Sequence, residues 1–250
     1  MYVKQAANVL ELLEYFARRQ TPARLAEIAD DLGWPRSSTF NIVSTIVEKG
    51  FLYEPQARSG YYPTPRWLAL AQEVSHAEPV PEQFIQLAND LARETGETAA
   101  ISTVAGTRAM FVHVAESNQS VRYFAQVGDR VPIQASSAGR ALLEQLSPAE
   151  RQVWYRKIRF DAYSPTSPTS AQAVEQELTA AKIRGYQQSN AEYTPDLAGV
   201  ALPLRGPRPL SIVVVGPVSR CLEKRPETAA LMKKRIEELG NNQSWFAAPG

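Results

Sequence analysis

Little in this chain of 250 residues suits redox or metal chemistry, for it has one cysteine, Cys221, and two histidines, His76 and His113. One thiol cannot close an internal disulfide, which points to a reducing compartment. The histidines stand far apart, and neither lies at ligand-like spacing from Cys221, so no metal site is expected. Long apolar runs are missing as well. The longest, Leu210 to Val215, falls far short of the roughly 20 residues a bilayer crossing needs. The N-terminus lacks the apolar stretch of a signal peptide, and a cytoplasmic location without membrane contact is expected. There is no charge surplus, since 27 Lys and Arg face 26 Asp and Glu for a net +1. In residues 1–75, two Lys and six Arg meet six Glu and two Asp. That balance argues against a binder relying on phosphate neutralisation alone. No Gly-x-Ser-x-Gly elbow, phosphate loop or Cys-x-x-Cys occurs, and Ser136-Ser137-Ala138-Gly139 lacks the preceding glycine of an elbow. Neither a catalytic residue nor a cofactor is assigned.

What the chain does have is clear punctuation between Thr21 and Gly60. Thr21 and Pro22 predict a helix start, a capping hydroxyl followed by proline at the first helical position. Leu25, Ile28, Ala29 and Leu32 then recur at helical spacing until Gly33, and Pro35 starts a second helix. That helix is expected to bury Ile42, Val43, Ile46 and Val47, leaving Arg36, Ser37, Ser38, Asn41 and Thr45 outward, and to close at Gly50. Phe51 to Glu54 and Gly60 to Tyr62, around a turn with Pro55, Arg58 and Ser59, read as a β-hairpin. Two helices joined by a tight glycine turn, with a hairpin wing, make a winged helix-turn-helix whose second helix enters the major groove of DNA. Arg36 suits a phosphate or guanine contact, Asn41 a bidentate pairing with adenine, and Arg58 a phosphate or minor-groove contact. Arg24, with Arg18, Arg19 and Arg66, flanks the same surface. The plain alternative is an αα-hairpin beside a β-hairpin.

The length suits two domains, and 44% hydrophobic residues suffice for two cores. Lys4 to Arg19 predicts an amphipathic helix with Ala7, Leu10, Leu13 and Phe16 on its core face. Arg66 to Val74 predicts a linking helix, and Pro79 with Pro81 marks a break. Beyond it the pattern is α+β. Helices are expected at 82–94, 136–143, 148–157, 171–184 and 227–239, with a Pro/Ser/Thr-rich loop at 163–170. Strands are expected at 98–104, 108–116, 121–127, 186–192, 200–204 and 210–215. The domain reading is 1–65 winged helix-turn-helix, 66–80 linker helix, 81–240 second domain and 241–250 a frayed tail.

The order of these landmarks resembles the IclR (isocitrate lyase regulator) family of bacterial transcription factors over nearly the whole chain. The segments that carry it are Trp34-Pro35-Arg36-Ser37-Ser38-Thr39, Gly60-Tyr61-Tyr62, Pro65-Arg66-Trp67-Leu68, Gly128-Asp129-Arg130-Val131-Pro132-Ile133, Ala135 to Leu143, Gly185-Tyr186 and Gly216-Pro217. The resemblance implies a GAF-like mixed α/β effector domain that binds a small metabolite, and a homodimer or dimer of dimers on a partly palindromic operator. It maps the backbone N–H groups of Ser137 and Ala138 onto the ligand's carboxylate. A helix start presents free donors and a positive dipole end, although Ser136 or Ser137 acting as a simple helix cap is the alternative. Four positions depart from the family pattern: Gly199 stands for a cysteine, Ser189 for a frequent aspartate, and Val213 and Val215 for two serines. The swaps favour a bulkier, aromatic acid or amide over a small oxoacid, unless they only repack a core. The resulting reading is an effector-responsive regulator, a repressor of a catabolic operon, though the residues do not fix the direction of control. The alternative is a sensor scaffold, or an enzyme using the second domain's pocket, without sequence-specific DNA binding.

Overall fold

The computed structural model describes residues 3–56, 59–77, 80–206 and 208–242. Two compact units divide the chain, Met1–Pro79 and Val80–Gly250. In the first, helices α1 (Lys4–Arg19), α2 (Leu25–Leu32) and α3 (Arg36–Glu48) precede strands β1 (Leu52–Tyr53) and β2 (Tyr62–Pro63), and α4 (Arg66–Ala77) follows. Its core joins Leu12, Tyr15 and Phe16 of α1 to Ile28, Trp34, Val43, Ile46 and Leu52. Gly33 ends α2 with φ +64°, a left-handed conformation glycine adopts without Cβ cost.

Two expectations fail in this unit. Thr21 and Pro22 do not open α2, which begins at Leu25 after Arg24. Ala23 is instead extended, exchanging two backbone hydrogen bonds with Tyr61 at 3.0 and 2.8 Å. The wing therefore gains a third pairing partner, and the residues ahead of α2 cannot also be helical. Gly60 makes that approach possible, since a Cβ there would lie 2.5 Å from the Ala23 carbonyl oxygen. Leu10 is also misplaced, being 63% exposed. The face that meets α3 and the wing is set by Asn8, Leu12, Tyr15 and Phe16, which share one side of the helix.

The second unit opens with α5 (Glu82–Thr95), then β3 (Thr98–Ala105), β4 (Arg108–Ala115) and short β5 (Arg130–Pro132). Helices α6 (Ser137–Leu143), α7 (Pro148–Tyr155) and α8 (Ala171–Arg184) come next. Strands β6 (Gln187–Asn190), β7 (Leu197–Leu204) and β8 (Leu210–Pro217), one turn of helix α9 (Val218–Cys221) and α10 (Arg225–Asn242) complete it. Thus residues 241 and 242 end a helix, and the rest of the expected tail, 243–250, lies outside the described residues.

All six strands pair antiparallel in the order β5-β4-β3-β8-β7-β6. Strand alternation sends Ala99, Ile101, Leu202, Ile212 and Val214 to the face under α5 and α10. Ala100, Ala201, Val213 and Val215 go to the face under α6. Helices thus cover both faces, which is why β8 reads as a continuous apolar run. A bulge in β4 opposite Ile101/Ser102 breaks the alternation. It turns Phe111 toward α6 while His113 and Ala115 stay on the α5 side, where His113 Nε2 lies 3.3 Å from Asn89 Oδ1.

The strand expected at 121–127 does not form. Its alternation is real, but β5 takes the edge place beside Arg108–Met110. The segment is held by other bonds: the Thr98 hydroxyl donates to the Tyr123 carbonyl, and the Gly128 N–H to that of Phe111, both at 2.8 Å. Val121, Phe124 and Val127 are left exposed, and Ala125 is buried.

Candidate functional site

Helix α3 carries the first group of candidate residues. Thr39, Val43 and Ile46 are its buried residues, packed into the core of the first unit. Arg36, Ser37, Asn41 and Thr45 are exposed, and Ser38 is half-buried at the edge of that face. Arg36 reaches Asp30 at 3.8 Å with both side chains largely in solvent, a pair that holds neither group firmly. Thr45 donates its hydroxyl to the Asn41 carbonyl at 2.7 Å, leaving lone pairs that still accept. Arg24 is exposed at the start of α2, its N–H bound to the Glu27 carboxylate at 2.8 Å. Arg58 lies outside the described residues. Phe40, which the sequence pattern does not single out, is 56% exposed on the same face.

The second group converges in the other unit. Ser137, Ala138, Ser189, Val213 and Val215 line one cavity of about 50 Å³ between α6 and the sheet. Phe111, Tyr123, Tyr193, Leu197 and the acidic Glu192 are also among its walls. Gly199 is not one of its walls and lines a larger cavity on the other face of the sheet, although a Cβ added there would point at the Ser137 and Ser189 hydroxyls, 2.8 and 3.0 Å away. Strand pairing explains the meeting: Ser189 faces Gly199 across β6 and β7, and Gly199 faces Val215 across β7 and β8.

Ser136 caps α6, accepting the Gly139 N–H at 3.1 Å and donating to the Pro132 carbonyl at 2.7 Å. That leaves the Ser137 and Ala138 amides without a protein partner among the described residues. Gly139 lets α6 lie against the chain entering it, since a Cβ would fall 2.5 Å from Ile133 Cα.

Below the cavity, Arg140 is fully buried and donates to both oxygens of Glu192, at 2.5 and 3.1 Å. It also donates to the carbonyls of Gln134 and Gln188. Ser164 and Ser167, in the 163–170 loop, donate to the Glu192 carbonyl, so that loop is tied over the same corner. Burial pushes the Tyr123 hydroxyl up to about 12, keeping it neutral.

On the opposite face of the sheet lies a larger cavity of about 370 Å³, lined by Glu97, Arg220 and Cys221. Arg220 grips Glu97 through two bonds of 2.6 and 2.8 Å. Burial, with the Glu97 charge beside it, pushes the Cys221 thiol up to about 12, which leaves it a poor nucleophile. Glu192 and Glu97 are thus each bound to an arginine. Among the described residues, no cluster of three potential metal ligands occurs, and no helix is long and apolar enough to cross a membrane.

Two family models match the chain. The model of the IclR helix-turn-helix domain matches residues 5–55, and that of the bacterial transcriptional regulator IclR C-terminal region matches residues 72–240. The chain belongs to the IclR family. It is a DNA-binding transcriptional regulator, and the family is one of regulators rather than enzymes.

Two IclR relatives illustrate the likeness. The HTH-type transcriptional regulator BhcR of Paracoccus denitrificans is 26% identical over 250 residues, covering 99% of this chain and 88% of that protein. The transcriptional repressor IclR of Escherichia coli is 27% identical over 254 residues, covering 95% and 89%. Among solved structures, Thermotoga maritima IclR superposes with a TM-score of 0.77 at 18% identity, covering 96% of this chain and 99% of that one. An IclR homologue from Microbacterium hydrocarbonoxydans, complexed with 4-hydroxybenzoate, gives 0.70 at 22% identity, covering 94% and 99%.

In this IclR chain the sequence reading missed Phe40, Arg140 and Glu192. An arginine inside the apolar run Ala138 to Leu143 was the available signal for a buried ion pair.

Proposed function

We propose that this regulator is a homo-oligomeric repressor of a catabolic operon whose effector is an aromatic acid or amide. Residues 1–65 read the operator, 66–80 link and 81–240 sense, with 241–250 a tail. Arg24, Arg36, Ser37, Ser38, Asn41 and Thr45 meet the DNA, and Arg58 adds a wing-tip phosphate or minor-groove contact. Leu70 and Val74, one turn apart on α4, are exposed on one face, and that apolar face supports pairing with a second copy.

The observation that carries the effector reading is the α6 cavity. It sets two unpartnered amides at one end against walls of Phe111, Tyr123, Tyr193, Val213 and Val215. A carboxylate or amide head on Ser137 and Ala138 would place a ring against the valines. The bound 4-hydroxybenzoate of the Microbacterium relative supports the same class. At about 50 Å³ the cavity is smaller than the few hundred Å³ of ordinary ligand sites. A ring therefore enters only when Tyr123 and Tyr193, both on loops, move outward. That requirement gives the effector unequal affinity for two arrangements, as allosteric control demands.

Mobility shift with DNA from beside the protein's own gene, repeated with aromatic acids and amides, tests this reading. Thermal shift with the same compounds reports binding directly. An aromatic effector should raise the melting temperature and change operator affinity. Response to a two- or three-carbon oxoacid, with none to aromatic compounds, would overturn it.

A further inference from the structure

We infer that Phe40 is a specificity determinant of the operator, covering the C5-methyl group of a thymine in the major groove. The inference rests on the reading that α3 enters that groove.

Phe40 sits near the middle of α3 and is 56% exposed. The first unit fills its core with Tyr15, Phe16, Trp34, Val43 and Ile46 and does not include it. Leaving a phenyl ring in water forgoes the stabilisation that burial would bring. Ser37 and Ser44 stand one turn before and after it, and Asn41 and Thr45 share the exposed face. These side chains are short, so the ring projects beyond them and reaches any docked surface early. No carboxylate occupies α3 before Glu48, and Arg36 stands at its N-terminal end. The face therefore combines one cation, several hydrogen-bonding groups and one hydrocarbon. The edges of G, C and A in the major groove offer donors and acceptors, whereas thymine adds a methyl group. A ring that makes no hydrogen bond gains most against that methyl.

The test starts from an operator selected out of random-sequence DNA by the purified full-length protein. Each thymine is then replaced singly by deoxyuracil, which keeps base pairing and removes the methyl. Affinities are measured by fluorescence anisotropy for the wild type, Phe40→Leu and Phe40→Ala. In the wild type, one thymine per half-site should lose roughly three- to five-fold in affinity on methyl removal, the worth of one buried methyl-sized group. Phe40→Ala should bind the thymine operator several-fold more weakly and show no further loss with deoxyuracil. Phe40→Leu should keep most of the discrimination. Alanine favours helix and the site is exposed, so circular dichroism should be unchanged in both variants. Insensitivity of the wild type to every deoxyuracil, or undiminished sensitivity in Phe40→Ala, overturns the inference while leaving α3 as the reading helix. A selection that enriches no sequence overturns both.

Discussion

Helices α3 and α6 both begin beside paired serines, Ser37-Ser38 and Ser136-Ser137, yet they meet their surroundings in opposite ways. Of the thirteen residues of α3, Thr39, Val43 and Ile46 are buried, while all seven residues of α6 are buried. One helix keeps most of its polar side chains, Arg36, Ser37, Asn41, Ser44 and Thr45, in solvent. The other is wholly buried, and its first residues border a cavity of about 50 Å³. The contrast extends to charge. Arg36 shares its solvent-exposed neighbourhood with Asp30 at 3.8 Å, whereas Arg140, with no exposed surface, is enclosed by Glu192 and two carbonyls. Chemistry presented outward tolerates substitution without disturbing the fold, whereas chemistry packed inward is part of it.

The largest expected break in this comparison is Arg140→Ala. Removing one partner of a buried pair strands the other charge, so the second unit should lose about 3–5 kcal/mol of stability. Arg36→Ala should change stability by less than about 0.5 kcal/mol. Calorimetric unfolding of both variants measures the difference, and equal effects would mean that Glu192 finds water or another cation.

Gly139→Ala comes next. Its Cβ would collide with Ile133 backbone, and overpacking of that kind costs about 1–3 kcal/mol. Gly33→Ala meets nothing within 4 Å and should show only the left-handed backbone penalty of about 1–2 kcal/mol. Chemical denaturation curves separate the two, and a Gly139→Ala protein as stable as wild type would show that α6 can slide away from Ile133.

Asn41→Ala should weaken operator binding by about 1–3 kcal/mol while hardly altering affinity for unrelated DNA. Anisotropy titrations on both duplexes check it; parallel losses would make Asn41 a backbone contact instead.

The smallest effect sharpens the inward half of the contrast. Val213→Ser should weaken an aromatic effector by about 1–2 kcal/mol, because apolar contact is lost and a hydroxyl is desolvated. Operator binding without effector should stay the same. Calorimetric titration decides it, and unchanged effector affinity would place the ring away from β8.

Legibility in the sequence followed the same division. The amphipathic stripe of α2, with Ile28 and Ala29 buried and Leu25 and Leu32 packed beside them, was readable because a helix on a surface must show its period. Glycine stops at Gly33, Gly96 and Gly185 were readable because each takes a positive φ, at +64°, +71° and +84°. Helix α6 was readable as a helix over 136–143, but with all seven of its residues buried it has no polar face to show which side meets the sheet. Phe40 was hidden because it stands three residues before buried Val43, where one more apolar residue looks like core. The segment 121–127 alternated like a strand but found no free edge, since β5 occupied it.

The sequence by itself thus determined most of the helices with their stops, the central strands and the polar residues on the outward face of α3, all of which depend on neighbours a few residues apart. Tertiary structure decided what depends on distant partners. The pairing of Ala23 with Tyr61 moved the start of α2. The β4 bulge turned Phe111 and His113 to opposite faces. The meeting of Ser137, Ser189 and Gly199 needed strand register, and the Arg140–Glu192 pair spans 52 positions. Local propensity carries no record of which distant group will fill a desolvated space; packing selects it.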